Sequence, residues 1–129
     1  MVKNVKLALV FLVFSMIMAC KSDKGKQDYN DDEIARASEE LNAYFDAEFE
    51  TDVEESPMMQ TQLGRKSNYN KWDDFSHLKY AKDLEKAKAR IKYLKDNVDE
   101  NSLDDDTRLS YRLFKQELDN QIEDYDYRF

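Results

Sequence analysis

Apolar side chains occur along this chain in two regimes. From Leu7 to Ala19 they are continuous apart from Ser15, whereas from Asp31 onward they return in stripes at helical spacing. Ile34, Ala37, Leu41, Tyr44, Phe45 and Phe49 share one stripe, which predicts a helix from about Asp31 to Val53 with acidic residues at its dipole-positive start. Ser56, Pro57 and Gly64 then punctuate a short helix: a hydroxyl for the N-cap, a ring suited to the first position, a residue free to turn left-handed. Leu84, Ala87, Ile91, Leu94 and Val98 predict a long helix over 76–98 whose stripe asks for a partner helix. Tyr111, Phe114, Leu118, Ile122, Tyr125 and Phe129 mark a last helix, widened by Leu109 and Leu113, beginning near Asp104 with Ser102 as the rival cap. The short link between Val98 and Asp104 makes the last two long helices an antiparallel hairpin.

Between the short helix and the third helix, residues 65–75 are polar and Asn-rich but contain Tyr69, Trp72 and Phe75, predicting a loop pinned to the body by its rings. The expected fold is therefore all-α: a signal helix, a flexible tether, then three long helices and one short one ending in a helical hairpin. Two Gly and one Pro leave few strand or turn signals to compete with it. Because the last stripe is still running at Tyr125, Tyr127 and Phe129, residues 31–129 are expected to be the N-terminal segment of a larger, mostly helical domain.

The continuous apolar run changes the picture of where the chain resides. Lys3 and Lys6 precede it and the small Ala19 closes it before Cys20, the order of parts in a secretory signal over residues 1–19. Thirteen residues of helix reach about 20 Å, short of the roughly 30 Å of a bilayer core, so the segment reads as an export signal. Ile17-Met18-Ala19-Cys20 resembles the lipobox of bacterial lipoproteins, which implies cleavage before Cys20 and acylation of its thiol, with palmitate among the attached chains. As the only cysteine it can form no internal disulfide. Residues 20–30 then form a lipidated start and a polar tether. By the same resemblance, Lys21 stands where lipoproteins kept in the inner membrane often carry Asp. The outer membrane, facing the periplasm, is thus favoured within the cell envelope.

Charge narrows the partners. Cleavage before Cys20 leaves 18 basic against 28 acidic side chains, a balance that phosphate backbones repel, so nucleic acid is not an expected partner. The charge is also unevenly spread. Residues 31–55 carry one basic and eleven acidic side chains, 71–95 carry eight and four, and 96–129 carry four and eleven. A Lys-rich middle helix between acidic neighbours is expected, each exposed pair adding only about 0–1 kcal/mol.

Candidate chemistry is sparse. His77, the single histidine, lies near Asp73 and Asp74, but a solvated residue at a helix start accounts for it better than an acid/base pair. Asp104, Asp105 and Asp106, near Asp96, Asp99 and Asn101, suggest calcium. An EF-hand loop from Asp99 would nevertheless place Leu103 fifth and Asp104, not Gly, sixth, without the closing Glu, so a charged helix start is the expected role. Met58 and Met59 are expected to fill gaps at a helix junction. No nucleophile set or phosphate loop is present, and no catalytic, cofactor or metal residue is assigned.

Three stretches carry a family resemblance: residues 41–64 (LNAYFDAEFETDVEESPMMQTQLG), 68–76 (NYNKWDDFS) and 94–129. Their most specific pieces are Ser-Pro-x-x-x-Thr-x-x-Gly at 56–64 and the turn at Trp72-Asp73-Asp74. With the lipobox they resemble the N-terminal part of the bacterial proteins grouped as domain of unknown function 885. That resemblance implies a protein several times longer, similar to zinc-dependent peptidases of the thermolysin-like clan, whose metal-binding histidines lie downstream of the part matched. It implies a scaffold role for residues 1–129, zinc only in a longer relative, and two partners: membrane lipid through Cys20 and the missing C-terminal part of the same protein. The alternative is a complete small helical lipoprotein acting as an interaction module in the envelope.

Overall fold

The computed structural model describes residues 28–127; the expectations for the export segment, Cys20, residues 21–27 of the tether and Phe129 lie outside these residues. Four helices follow one another: α1 (Asp31–Glu55), α2 (Pro57–Gln62), α3 (His77–Asn97) and α4 (Asp105–Asp124), with 3-10 turns at Glu100–Ser102 and Tyr125–Tyr127. The described residues include no strand, and none of their helices is long and apolar enough to cross a membrane. The all-α expectation, with three long helices, one short and a closing α3–α4 hairpin, is met.

Local chemistry sets the boundaries. Asn30 and Glu33 form a reciprocal cap at the start of α1: the Glu33 N–H donates to Asn30 Oδ1 at 3.0 Å and the Asn30 N–H to Glu33 Oε2 at 2.9 Å. Tyr29 Oη donates to Asp99 Oδ2 at 2.7 Å, fastening the chain to the α3–α4 link. Tyr29 and Asn30 are thereby tied to the helical body. Ser56 caps α2, Pro57 occupies its first position, and Gly64 takes φ +77° just beyond its end, as the pattern predicted. Of the two rival caps for α4, Asp104 serves, accepting from the Thr107 N–H at 2.7 Å. Ser102 instead turns its hydroxyl back to the Asp99 carbonyl.

Leu41 of α1, Ala87, Ile91 and Leu94 of α3, Leu103, and Tyr111 and Leu118 of α4 form the buried core, bordered by Ala37, Tyr44, Phe45, Val98, Phe114 and Ile122. Phe45 meets Phe114 at 5.0 Å between ring centroids, tilted by 58°, and Tyr44 stacks on Tyr93 at 4.1 Å. One joint inside this core is polar. Ser38, buried on α1, accepts the Asp104 N–H at 2.9 Å, and Asn42 Nδ2 donates to buried Thr107 at 3.0 Å, so α1 helps to fix where α4 begins. Phe49 departs from its predicted stripe and is exposed, because Glu48 and Asp52, not Phe49, face α3.

The apolar residues of the helical stripes bear very unequal loads. Leu94 is fully buried, whereas Leu113 lies on the outer face of α4, 57% exposed. In the chain lacking residues 1–20, Leu94→Ala is expected to cost about 2–5 kcal/mol and Leu113→Ala under about 0.5 kcal/mol, read from urea unfolding midpoints. Comparable losses at the two positions would refute this core.

Candidate functional site

The stripe of α1 changes chemistry along its length. Leu41 and Phe45 are apolar, but the next positions at the same spacing are Glu48, Asp52 and Glu55. On the facing side of α3 lie Lys79, Lys86 and Arg90, seven and four residues apart. The two helices run antiparallel, so these charges meet. Arg90 holds Asp52 with both terminal nitrogens, at 2.8 and 3.1 Å, and Glu48 with Nε. Lys86 bridges Asp52 at 2.9 Å and Glu55 at 3.0 Å, and Lys79 joins Glu55 at 3.3 Å and Asp83. The guanidinium is buried, its side chain only 8% exposed, so its carboxylate partners are required to offset desolvation.

Titration behaviour follows from the same contacts. Burial pushes the Asp52 carboxyl up, but hydrogen bonds from Arg90 and Lys86 outweigh it and the net direction is down. The hydrogen bond from Lys86 likewise lowers Glu55. Tyr44, beside this seam, is pushed up to about 12, first by burial and then by the Glu48 charge.

A second cluster organises the 65–75 loop. Gln60 of α2 is buried and uses its whole amide: Nε2 donates to the Val53 carbonyl at 2.9 Å and the Glu54 carbonyl at 3.0 Å. Its Oε1 accepts from Ser67 and Asn68, both at 3.0 Å. Asp73 closes the other end of the loop, accepting from Ser56 Oγ at 2.7 Å and from the Met58 N–H at 2.9 Å. Arg65 clamps Glu50 through two bonds of 2.7 and 2.8 Å. The expected ring anchors are therefore corrected: Tyr69, Trp72 and Phe75 are 71%, 80% and 63% exposed, because polar side chains already fix the loop.

The candidate residues of the sequence fall into structural duties. Asp73 is occupied as above, and Asp74 accepts the Ser76 N–H at 2.8 Å, which holds its carboxyl below the usual range. Asp104 caps α4, Asp105 pairs with Arg108 at 2.8 Å, and Asp99 caps the 3-10 turn, as a charged helix start requires. Among the described residues no three His, Cys, Asp or Glu side chains converge to hold a metal ion. Met58 and Met59 of α2 are both half-buried.

The ionic seam and the Ser56–Asp73 contact border a cleft of about 550 Å³ at the end of the bundle where the C-terminal turn of α1, the start of α3 and the end of α4 converge. Met59, Phe75, Tyr80, Leu84 and Tyr125 give it an apolar lining, and charged side chains surround them. Sequence reading missed Gln60, Glu48, Asp52 and Arg90 as organisers. Their signal was nonetheless present, in carboxylates continuing an apolar stripe and an arginine set between Ala87 and Ile91.

Because Asp52 and Glu55 are held below their ordinary values of 3.8 and 4.5, their contribution to stability is complete at neutral pH. It is expected to fade as pH falls through that range toward their lower folded values. Arg90→Met should cost about 1–3 kcal/mol at pH 7 and reduce the stability lost between pH 7 and pH 3. Urea midpoints at the two pH values check this, and an unchanged acid loss would contradict it.

A family model described as "Bacterial protein of unknown function (DUF885)" matches residues 57–129, a span that takes in the Gln60 cluster, the loop and the whole α3–α4 hairpin. No curated protein and no solved structure matches the chain. The family match covers more than half of the sequence, and the chain belongs to the DUF885 family of bacterial proteins.

Proposed function

We propose that this chain is the exported, lipid-anchored N-terminal segment of a longer zinc-dependent peptidase-like protein, which it serves as a helical scaffold without a catalytic site of its own. The observation that supports the scaffold role is the amount of apolar side chain left outside so small a body. Trp72, Tyr69, Phe75 and Leu78 are more than half exposed around the loop and the start of α3, as are Leu109 and Leu113 on α4. Apolar surface of this kind marks contact with further protein. The carboxylates and the histidine that sequence alone could offer for catalysis sit in caps or at a helix start, which favours support over chemistry.

The anchor is carried by the lipobox at Cys20. Acylation there would hold the protein on a membrane of the cell envelope, the outer membrane facing the periplasm. Several acyl chains, at about 0.8 kcal/mol per buried methylene, make such attachment stable where one chain would not.

Two measurements test the two halves. Reading the DNA beyond the Phe129 codon should reveal a continuing frame with a His-Glu-led metal motif; an authentic stop codon with no such frame nearby would sink the scaffold reading in favour of a complete small lipoprotein. For the anchor, the parent should incorporate labelled palmitate and fractionate with membranes, and Cys20→Ser should do neither. Equal membrane fractionation of parent and variant, with no label in the parent, would exclude it.

A further inference from the structure

On α3 one apolar stripe runs unbroken through Tyr80, Leu84, Ala87, Ile91 and Leu94, at intervals of four and three residues. Its cover does not run as far. Ala87, Ile91 and Leu94 are buried, while Leu84 is only half-buried and Tyr80 is 41% exposed. The two uncovered positions form, with Met59, Phe75 and Tyr125, the apolar lining of the cleft. A stripe of this spacing that loses its partner over its first two turns has the shape to receive another helix.

The charges around the cleft specify what kind. Six carboxylates line it, against the three cations Lys79, Lys86 and Arg90. All three cations are already ion-paired to carboxylates of α1 or α3, and Asp124 at the far rim makes no ion pair among the described residues. An acidic helix entering here would meet uncompensated like charge, whereas a basic one would complete the rim.

From this charge complementarity we infer that the cleft is the seat of an amphipathic helix whose apolar stripe enters against Tyr80 and Leu84 and whose flanks carry Lys or Arg. The inference rests on the longer-protein reading for its source: the helix belongs to the continuation of the same protein. It adds where that continuation docks and with what chemistry.

The test uses the full 129-residue chain in phosphatidylcholine nanodiscs, titrated against two fluorescent helical peptides of about 15 residues. They share one Leu/Ala stripe and differ only in Lys or Glu flanks. Anisotropy should show the Lys-flanked peptide binding at least about tenfold more tightly than its Glu twin, with no binding to empty discs. Phe75→Glu and Tyr80→Glu, both at exposed positions, should each weaken it about tenfold with unchanged circular dichroism. Leu113→Glu, on the outer face of α4, should leave binding unchanged. Equal affinity for the two peptides, indifference to the cleft substitutions, or loss on Leu113→Glu in their place would overturn the inference while leaving the longer-protein reading intact. A stop codon directly after Phe129 would overturn that reading without altering the measured preference of the cleft.

Discussion

The Arg90 guanidinium, buried between α1 and α3, sets how these two helices can approach. Its bonds to Glu48 and to both oxygens of Asp52 lock one register of the antiparallel pair, and Lys86 and Lys79 extend that register toward Glu55. Long charged side chains meeting end to end keep two helix axes further apart than interlocked leucines do. Where the stripe of α1 is apolar, up to Phe45, it helps cover the core at Ile91 and Leu94. Where it becomes acidic, the seam is ionic and Tyr80 and half-buried Leu84 are left lining the cleft. One change in side-chain chemistry thus divides the bundle into a packed end and an open end.

The open end is held open by polar bonds. Gln60 satisfies every donor and acceptor of its amide on the carbonyls closing α1 and on Ser67 and Asn68, while Asp73 ties the loop back to the start of α2. A buried amide with all four positions filled is rigid, since any rotation strands at least one of them. The loop therefore keeps its shape without drawing Trp72 or Phe75 inward. Their exposure is a consequence of that economy of anchors, and it places the Phe75 ring on the wall of the cleft instead of under the loop.

Much of this was legible in the pattern of residues. Helical periodicity located the three long helices, and Ser56, Pro57 and Gly64 announced α2 because each residue type meets a specific backbone need. The charge asymmetry between residues 31–55 and 71–95 foreshadowed the α1–α3 seam. The side chains of the loop were not legible in the same way. Apolar rings in an irregular segment normally point to the core, and only the partners of Gln60, up to eight residues away in sequence, reveal that the anchoring task was already met. Phe49 failed for a related reason: periodicity finds a helical face, but the identity of the facing helix decides which flank of it is covered.

A buried ion pair is a poor source of stability, because desolvation consumes most of what Coulomb attraction supplies. Leucines at 48, 52 and 90 would build a more apolar seam, and the value of the charges has to lie elsewhere. An apolar seam of that kind would draw α1 onto α3 along its full length, cover Tyr80 and Leu84, and close the cleft. It would also tolerate slippage by a turn, since leucines at heptad spacing match in several registers, whereas Arg90 finds both of its carboxylates in one. The ionic seam therefore does two things an apolar one cannot: it fixes the register of α1 and α3, and it leaves an apolar stripe available at one end of the bundle.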